Sequence, residues 1–371
     1  MKTFPLLKNT QNLKDKRVLV RVDFNVPVEG DTIKDDFRIR RILPTLAFLK
    51  EKGAQIILLS HHSDATQTLE PVAHRLNDFI KTSFVIDIFN THAYSQKDTV
   101  YLCENLRFHE GETANDRHFA ARLVSLGEIY VNDAFSVSHR KHASIVSLPQ
   151  LLPHYAGLLF EDEVKYLSEA FEPPRPSLLI LGGMKANTKL PLAEKFLDIA
   201  DNIFIGGAVV HTIWKQAGYE IGHSTIEEVD ENYQHLLKHE NVIMPRDVII
   251  EKGGKASIKK PEDVLEDEKI LDAGPETMKE LSGLIKKSAF IFWNGSLGYF
   301  ERGFEKSTVD LINIFAESKT KTLVGGGDTV AAISRFGKEE YFDFISTGGG
   351  AMLGFLANRT LPGIDALKIS K

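Results

Sequence analysis

Short apolar runs alternate along the first half of the chain with segments whose apolar residues recur every three to four positions. The apolar runs are RVLVRV at 17–22, QIILLS at 55–60, TVYLC at 99–103 and EIYVNDAF at 128–135. Because they are short and rich in β-branched residues, they predict buried strands, while residues 39–52 and 69–80 predict amphipathic helices. This alternation predicts a parallel sheet that is covered by helices on both faces.

The apolar runs of the second half end in glycine-rich turns. They read LLILGG at 178–183, FIGG at 204–207, FWNG at 292–295, LVGGGDT at 323–329 and STGGGA at 346–351. A strand that turns sharply into a helix leaves the first N–H groups of that helix free, and phosphates bind such groups. A glycine pair can be a simple tight turn, but three successive glycines cost about 1 kcal/mol per residue in lost rigidity, which a purely structural turn rarely needs. The pattern therefore indicates a nucleotide site.

The length of 371 residues, 43% of them hydrophobic, fits two domains better than one. Residues 159–171 predict an amphipathic helix that the PPRP segment at 173–176 ends, and we expect this helix to join the domains. The predicted fold is therefore α/β, with two Rossmann-like three-layer domains that contain parallel sheets and are joined by a hinge helix. The charged stretch at 252–269 predicts an exposed hairpin or loop.

Charge and composition restrict the class of function. The formal net charge of −6 argues against a nucleic-acid partner, yet 10 of the 15 arginines and 8 of the 13 histidines precede residue 150. An anion site made of side chains is therefore expected in the first half. Cys103 is the only cysteine, which excludes a disulfide framework and a cysteine cluster for zinc. Because the sequence has neither a signal-peptide core nor a long apolar stretch, we expect a cytoplasmic protein that has no membrane partner.

Polar side chains follow each strand predicted in the first half, where ligands bind in open α/β sheets. They are Asp23 and Asn25, then Ser60, His61 and His62, then Glu104, Asn105 and Arg107, then Asn132 and Asp133. Four arginines, Arg21, Arg38, Arg107 and Arg140, also lie at or near these strand ends. One such arginine would be an ordinary surface residue, but four of them predict convergence on a small polyanion.

No common phosphate motif is present in the second half. The segment GGKAS at 253–257 lacks the first glycine of a P-loop, and no GxGxxG opens a helix, so several strand ends would bind the phosphates together. Lys185 and Lys189 are four residues apart and would project together from a helical turn as two cations. Asp328, at the start of the helix predicted after three glycines, is expected to be its N-cap and a candidate ligand for nucleotide-bound magnesium.

Seven segments resemble the phosphoglycerate kinase family, and they occur in that family's order across nearly the whole chain. They are RVDFNVP at 21–27, ENLRFHEGE at 104–112, YVNDAF at 130–135, HRKHAS at 139–144, WNG at 293–295, GGGDT at 325–329 and STGGGA at 346–351. The resemblance implies a 3-phosphoglycerate-binding domain at 1–158, an interdomain helix at 159–172 and a nucleotide-binding domain at 173–352. It also implies that a tail, 353–371, packs back on the first domain, that the ligands meet only when the domains close, and that the protein is a monomer.

The resemblance further implies a reaction and its residues. The reaction is reversible phosphoryl transfer between ATP and the carboxylate of 3-phosphoglycerate, which gives ADP and 1,3-bisphosphoglycerate in glycolysis and gluconeogenesis, with Mg²⁺ bound to the nucleotide. The residues implied for the acid substrate are Asp23, Asn25, Arg38, His61, Arg107 and Arg140. The residues implied for the nucleotide are Gly182, Gly183, Lys185, Lys189, Gly206, Gly207, Asn294, Glu301, Gly327, Asp328 and Thr329, with Glu301 suited to the ribose and Asp328 to the metal. The catalytic groups implied are Arg38, Lys189 and the backbone amides of Gly348, Gly349 and Gly350.

The chain departs from the family pattern at a few positions. The family's SHLGRP is SHHSDA at 60–65, so Asp64 stands where an arginine normally faces the substrate phosphate. The other changes are Thr188 for Asp, Ser296 for Pro, Ser136 for Gly and Gly354 for Glu. Because Asp64 reverses a charge, two alternatives stay open. One is a nucleotide-binding relative of weakened activity with a scaffold or sensor role, and the other is a kinase of a related small acid phosphate.

Overall fold

The computed structural model describes residues 4–96 and 98–368, without the side chain of Glu301. The chain divides into two compact units. The N-terminal unit comprises Met1–Lys165 and Asn358–Lys371, and the C-terminal unit comprises Tyr166–Ala357.

The N-terminal unit contains a six-stranded parallel sheet and a small antiparallel hairpin within its described residues. Its strands are β1 (Arg17–Arg21), β2 (Val28–Glu29), β3 (Thr32–Ile33), β4 (Gln55–Leu59), β5 (Thr82–Val85), β6 (Val100–Cys103), β7 (Ile129–Asn132) and β8 (His154–Ala156). The sheet order is β5-β6-β4-β1-β7-β8, and β2 pairs with β3 in the hairpin. Strand β1 is central, and its apolar side chains Val18, Leu19 and Val20 are fully buried, as expected for a run without polar alternation.

The C-terminal unit contains a second six-stranded parallel sheet and a three-stranded antiparallel sheet within its described residues. Its strands are β9 (Ser177–Leu181), β10 (Asn202–Ile205), β11 (Val242–Ile243), β12 (Val248–Lys252), β13 (Lys255–Lys259), β14 (Lys269–Ala273), β15 (Phe290–Asn294), β16 (Lys321–Gly325) and β17 (Phe344–Ile345). The orders are β11-β10-β9-β15-β16-β17 and β13-β12-β14. The exposed hairpin predicted in the charged stretch is confirmed, since β13 lies almost wholly in solvent.

Helices connect the strands of both sheets. The α-helices in the described residues are α1 (Phe37–Glu51), α2 (Glu70–Asn77), α3 (Glu110–Thr113), α4 (Arg117–Val124), α5 (Leu158–Glu169), α6 (Ala186–Phe196), α7 (Gly207–Gln216), α8 (Pro275–Lys287), α9 (Lys306–Ala316), α10 (Gly327–Arg335), α11 (Gly350–Asn358) and α12 (Pro362–Leu367). The predicted helices at 39–52, 69–80 and 159–171 correspond to α1, α2 and α5, with ends shifted by up to three residues. Helix α12 belongs to the N-terminal unit, where the backbone N–H of Gly363 donates to Ser138 O (2.8 Å).

The predicted α/β class with parallel sheets is confirmed. In each parallel sheet the carboxyl ends of all strands lie at one edge, which is where the polar residues and glycines singled out in the sequence follow the strands. Among the described residues, no helix is long and apolar enough to cross a membrane.

Candidate functional site

A buried carboxylate, Asp23, follows β1 in the N-terminal unit and holds Arg38. Asp23 Oδ2 accepts a hydrogen bond from Arg38 Nη1 (2.5 Å), and Asp23 Oδ1 accepts one from the backbone N–H of Asn25 (3.0 Å). Ser136 Oγ also donates to Asp23 Oδ2. Burial would raise the pKa of the Asp23 carboxyl, but Arg38, His61 and these hydrogen bonds outweigh it and lower the pKa to about 2. Asp23 is therefore ionised at neutral pH and fixes the Arg38 guanidinium.

Arg21 is buried beneath this site and cannot contact a ligand. Its side chain has no exposed surface, its Nε donates to Ser144 Oγ (2.8 Å), and its Nη2 lies 3.9 Å from Glu112 Oε1. The same Nη2 lies 3.3 Å from His61 Nδ1. Burial, followed by the charge of Arg21, lowers the pKa of His61 well below its ordinary value, although Asp23 opposes this shift. The prediction that Arg21 converges on an anion is therefore wrong, because this residue orients His61 from inside the core.

Arg107 and Arg140 provide positive charge at this site. Burial, then Arg140 and Arg21, lower the pKa of the Arg107 guanidinium from its ordinary value. Arg107 Nη1 donates to the carbonyl oxygens of His62 (3.2 Å) and Ser63 (3.0 Å), while its Nε is enclosed and has no hydrogen-bond partner in the described chain. Arg140 is exposed, and its guanidinium forms no hydrogen bond or ion pair with any residue that the structure describes. Two such cations suit a phosphate or carboxylate group.

Asp64 caps a local turn at the surface of the same unit. Its Oδ1 accepts hydrogen bonds from the backbone N–H (2.8 Å) and the hydroxyl (2.7 Å) of Thr66, and these bonds lower the pKa of the Asp64 carboxyl. The backbone N–H of Asp64 donates to His62 Nδ1 (3.1 Å), and the adjacent Ser63 N–H donates to Asn25 Oδ1 (2.8 Å). Asp64 thus has a structural partner in Thr66, while its negative charge remains on a loop that contacts Asn25.

Three strand ends of the C-terminal unit, those of β9, β10 and β15, approach one another so closely that only glycine fits. A Cβ atom on Gly182 would lie 2.7 Å from Gly295 O, and one on Gly207 would lie 2.5 Å from Gly183 N. Gly295 and Gly207 also have φ values of +101° and +58°. Gly206 is the N-cap of α7. The structure therefore brings together the glycines that the sequence singled out at 182, 183, 206 and 207.

Lys189, in α6, lies against these glycines. Its Nζ donates to Gly182 O, and a Cβ atom on Gly295 would lie 2.7 Å from that Nζ. Burial lowers the pKa of Lys189 to about 8, with Asp328 opposing the shift and Lys185 adding to it. Lys185 precedes α6, is exposed and has a left-handed φ of +63°. The two lysines therefore differ in environment, since Lys189 is buried and Lys185 is exposed.

Asp328 lies in the first turn of α10 but is not its N-cap. The N-cap is Gly326, with φ +105°, because Gly327 is already helical, so the predicted capping role is wrong. The Asp328 carboxylate is exposed and forms no hydrogen bond or ion pair within the described part of the chain. Thr329 is buried, and its Oγ1 accepts a hydrogen bond from the backbone N–H of Gly295 (2.9 Å). Asp328 is thus available to a ligand, whereas Thr329 fixes the neighbouring turn.

The remaining predicted groups lie at the ends of β15 and β17. Asn294 is buried, and its Nδ2 donates to Gly325 O (2.8 Å). The backbone N–H of Gly348 donates to Ser346 Oγ (3.0 Å), Gly349 has φ +50°, and Gly350 begins α11. The side chain of Glu301 lies outside the described residues. Among the residues at 4–96 and 98–368, no group of three or more His, Cys, Asp or Glu side chains could hold a metal ion by itself.

The C-terminal unit also contains a cavity of about 300 Å³ that some of the predicted nucleotide residues line. Those predicted residues are Gly183, Gly207 and Asp328. Its other lining residues include the apolar side chains of Val210, Trp214, Val248, Ile270 and Leu297, together with His211 and Asp272. The sequence pattern did not predict this wall, because its residues come from distant segments. The available signal was the apolar face of α7, where residues 210 and 214 are one turn apart.

Comparison with known proteins identifies one family. The phosphoglycerate kinase family model matches residues 7–359. The chain is 40% identical to phosphoglycerate kinase of Coprothermobacter proteolyticus over 96% of this chain and 97% of that protein. It is 39% identical to phosphoglycerate kinase of Dictyoglomus turgidum, with the same two coverages.

Solved structures of phosphoglycerate kinases have the same fold. The structure of phosphoglycerate kinase from Coxiella burnetii has a TM-score of 0.83 and 34% identity, and the match covers 98% of this chain and 99% of that one. The enzyme from Pyrococcus horikoshii has a TM-score of 0.85 and 27% identity, and the match covers 98% of each chain. The similarity therefore extends over both units.

Proposed function

Since the chain belongs to the phosphoglycerate kinase family, we propose that it transfers a phosphoryl group reversibly between ATP and the carboxylate of 3-phosphoglycerate. The other pair of ligands is ADP and 1,3-bisphosphoglycerate, an acyl phosphate. We propose that the acid substrate binds to a domain formed by residues 1–158 and the tail at 353–371, and that the nucleotide binds to a domain at 173–352. Residues 159–172 join them.

We assign the acid substrate to Asp23, Asn25, Arg38, His61, Arg107 and Arg140. Arg38 supports this assignment, because Asp23 holds one of its nitrogens while 31% of its side chain remains exposed. His61 Nδ1 faces Arg21, which can only donate, so the neutral ring carries its proton on Nε2 and can donate to an anion. Arg107 and Arg140 supply the charge that a phosphate group requires.

We assign the nucleotide to Gly182, Gly183, Lys185, Lys189, Gly206, Gly207, Asn294, Glu301, Gly327, Asp328 and Thr329. The support is that Gly183 and Gly207 line the cavity at the N-terminus of α7, where backbone N–H groups and a positive helix end favour phosphate. Asn294 and Thr329 act through the turns that they fix, since their side chains bind Gly325 O and the Gly295 N–H.

Asp328 is also the proposed magnesium ligand. The exposed carboxylate fits this ion, because Mg²⁺ prefers one or two carboxylates together with nucleotide phosphate oxygens and water. When bound, the ion neutralises charge on the nucleotide phosphates.

We propose that the transferred phosphoryl group is bound by Arg38, Lys189 and the backbone amides of Gly348, Gly349 and Gly350. No catalytic base is required, since a carboxylate with an ordinary pKa near 4 is already ionised at pH 7. The reaction needs alignment of two anions and neutralisation of the charge on the phosphoryl group. Lys189 suits this role, because a buried ammonium group is poorly solvated and gains more from a nearby anion than an exposed one does.

The observation that carries this proposal is the family match over residues 7–359. The test is release of ADP from Mg-ATP by the purified protein with 3-phosphoglycerate, 2-phosphoglycerate or glycerate as the acceptor. We expect release that depends on 3-phosphoglycerate. Release with a different acid alone would support the kinase of another acid phosphate. Tight ATP binding without release for any acceptor would support the scaffold or sensor role that the charge reversal at Asp64 suggests.

A further inference from the structure

Helix α7 presents one face to the cavity. Gly207, Val210, His211 and Trp214 line it, and they are three and four residues apart, as residues on one side of a helix are. Since a helix rises 1.5 Å per residue, His211 lies about 6 Å along the axis from Gly207, at the end assigned to phosphate. A nucleotide that extends from that end along this face would therefore place its base near His211 and Trp214.

The hydrogen bonds of His211 determine which of its ring nitrogens carries the proton. His211 Nδ1 lies 2.8 Å from Thr225 O. A carbonyl oxygen can only accept, so Nδ1 carries the hydrogen and, in the neutral ring, Nε2 is left with a lone pair. Burial lowers the pKa of His211 to about 4, with the Thr225 hydrogen bond opposing the shift, so the ring is neutral at pH 7.

The lone pair on Nε2 is open to the cavity. The residue is only 5% exposed, and within the described chain Nε2 has no hydrogen-bond partner. Protein atoms do not fully enclose Nε2, so the exposed part of the ring includes this nitrogen. The ring lines the cavity. The ring also stacks on Trp214, with centroids 6.0 Å apart and planes 26° apart, which limits its rotation. An orientated hydrogen-bond acceptor therefore stands in a mostly apolar wall.

We propose that His211 Nε2 accepts a hydrogen bond from the 6-amino group of adenine, and that this residue makes the enzyme prefer 6-aminopurine over 6-oxopurine nucleotides. The proposal rests on the proposed function, because it takes the cavity to be the nucleobase site. A 6-oxo group would place an oxygen lone pair against the nitrogen lone pair and would leave both acceptors unpaired, which is how a buried polar group rejects a near-isostere.

The test removes either partner of the proposed hydrogen bond. The probes are ATP, inosine triphosphate and purine riboside triphosphate, which has hydrogen in place of the 6-amino group. Their dissociation constants are measured calorimetrically, and their KM and kcat values are measured with 3-phosphoglycerate. We expect wild type to bind ATP about tenfold more tightly than purine riboside triphosphate. His211→Phe should bind both within about twofold of each other, and its KM values for the two nucleotides should converge to the same extent, because the acceptor is gone.

Two further variants control for damage to the fold. His211→Asn can still donate to Thr225 O but is too short to place an acceptor at the Nε2 position, so it should also lose the discrimination. His239→Phe makes the same substitution in the same unit, at a histidine that does not line the cavity, and should keep it. Circular dichroism confirms that each variant is folded.

The proposal is overturned if His211→Phe or His211→Asn is folded and still prefers ATP by tenfold. It is equally overturned if wild type binds the three nucleotides alike or binds none of them. Preferential ATP binding without turnover would instead contradict the proposed function and leave the role of His211 supported.

Discussion

Lys189 allows the sharpest quantitative prediction, because the free energy of folding that its burial costs can be calculated. Its pKa falls from an ordinary value of 10.5 to about 8, a difference that corresponds to about 3 kcal/mol. The folded protein favours the neutral amine. The cost is therefore present in full well below pH 8, where the lysine is charged in both the folded and the unfolded chain, and it disappears as the pH rises from 8 to 10.5.

Lys189→Met should consequently stabilise the ligand-free protein while it strongly reduces turnover. The substitution removes the burial cost but also removes the hydrogen bond to Gly182 O, worth about 1 kcal/mol, so the net gain at pH 7 is about 2 kcal/mol. For a unit of this size that gain raises Tm by about 4–8 °C. At pH 9.5 the gain should shrink to less than about 1 kcal/mol, because the wild-type lysine is then mostly neutral in the folded protein.

The assay is calorimetric melting of both proteins at pH 7 and pH 9.5, together with the rate of ADP release. Turnover should fall at least about a hundredfold, with a much smaller loss of nucleotide affinity, because the cation acts mainly on the transition state. Lys195→Met is the matched control, since this lysine lies exposed on the same helix and should change neither measurement appreciably. A Lys189→Met protein that melts at a lower temperature, or whose gain is the same at both pH values, would refute the reasoning.

Three further predictions concern charges and hydrogen bonds at the two ligand sites. Asp64→Asn keeps an oxygen that can accept a hydrogen bond from Thr66 but removes the negative charge, so KM for 3-phosphoglycerate should fall about two- to fivefold at low salt and less at high salt. An unchanged KM would mean that the charge of this carboxylate does not affect substrate binding. Ser136→Ala removes a hydrogen-bond donor to Asp23, the carboxylate that holds Arg38, so kcat/KM for 3-phosphoglycerate should fall several-fold, and excess Mg-ATP should not restore it. Activity equal to that of wild type would exclude a positioning role for this hydroxyl. Asp328→Asn should raise the magnesium concentration needed for half-maximal rate about tenfold, and a variant with wild-type magnesium dependence would contradict the assignment of this ligand.

Much of the fold could be predicted because its strands are apolar throughout and its helices are periodic. The runs around β1, β4, β6 and β7 are apolar at successive positions, so their side chains do not alternate between a core face and a solvent face, which indicated a sheet buried on both faces. Parallel strands then require that residues following each strand share one edge, so Asp23, Asn25, His61 and Arg107 could be grouped without any structure. Glycine turns allowed the same grouping in the second half.

The parts that could not be predicted depend on contacts between distant residues. Arg21 resembles its neighbours in sequence, and only the buried Glu112 and Ser144 show that it belongs to the core. Which of the three glycines begins the helix cannot be read from the sequence, so the cap was assigned to Asp328, two residues after its actual position at Gly326. His211 carried no recognisable motif, because its importance comes from the carbonyl of Thr225 and from the cavity that both residues line.

The most direct test of the account is whether the protein forms an acyl phosphate. Hydroxylamine converts an acyl phosphate to a stable hydroxamate, so the protein is incubated with Mg-ATP, 3-phosphoglycerate and hydroxylamine, and both ADP and hydroxamate are measured. The account predicts equal amounts of the two products, and neither product above background when 3-phosphoglycerate is omitted. ADP without hydroxamate would show ATP hydrolysis in place of transfer to the carboxylate, and that result would contradict the central claim.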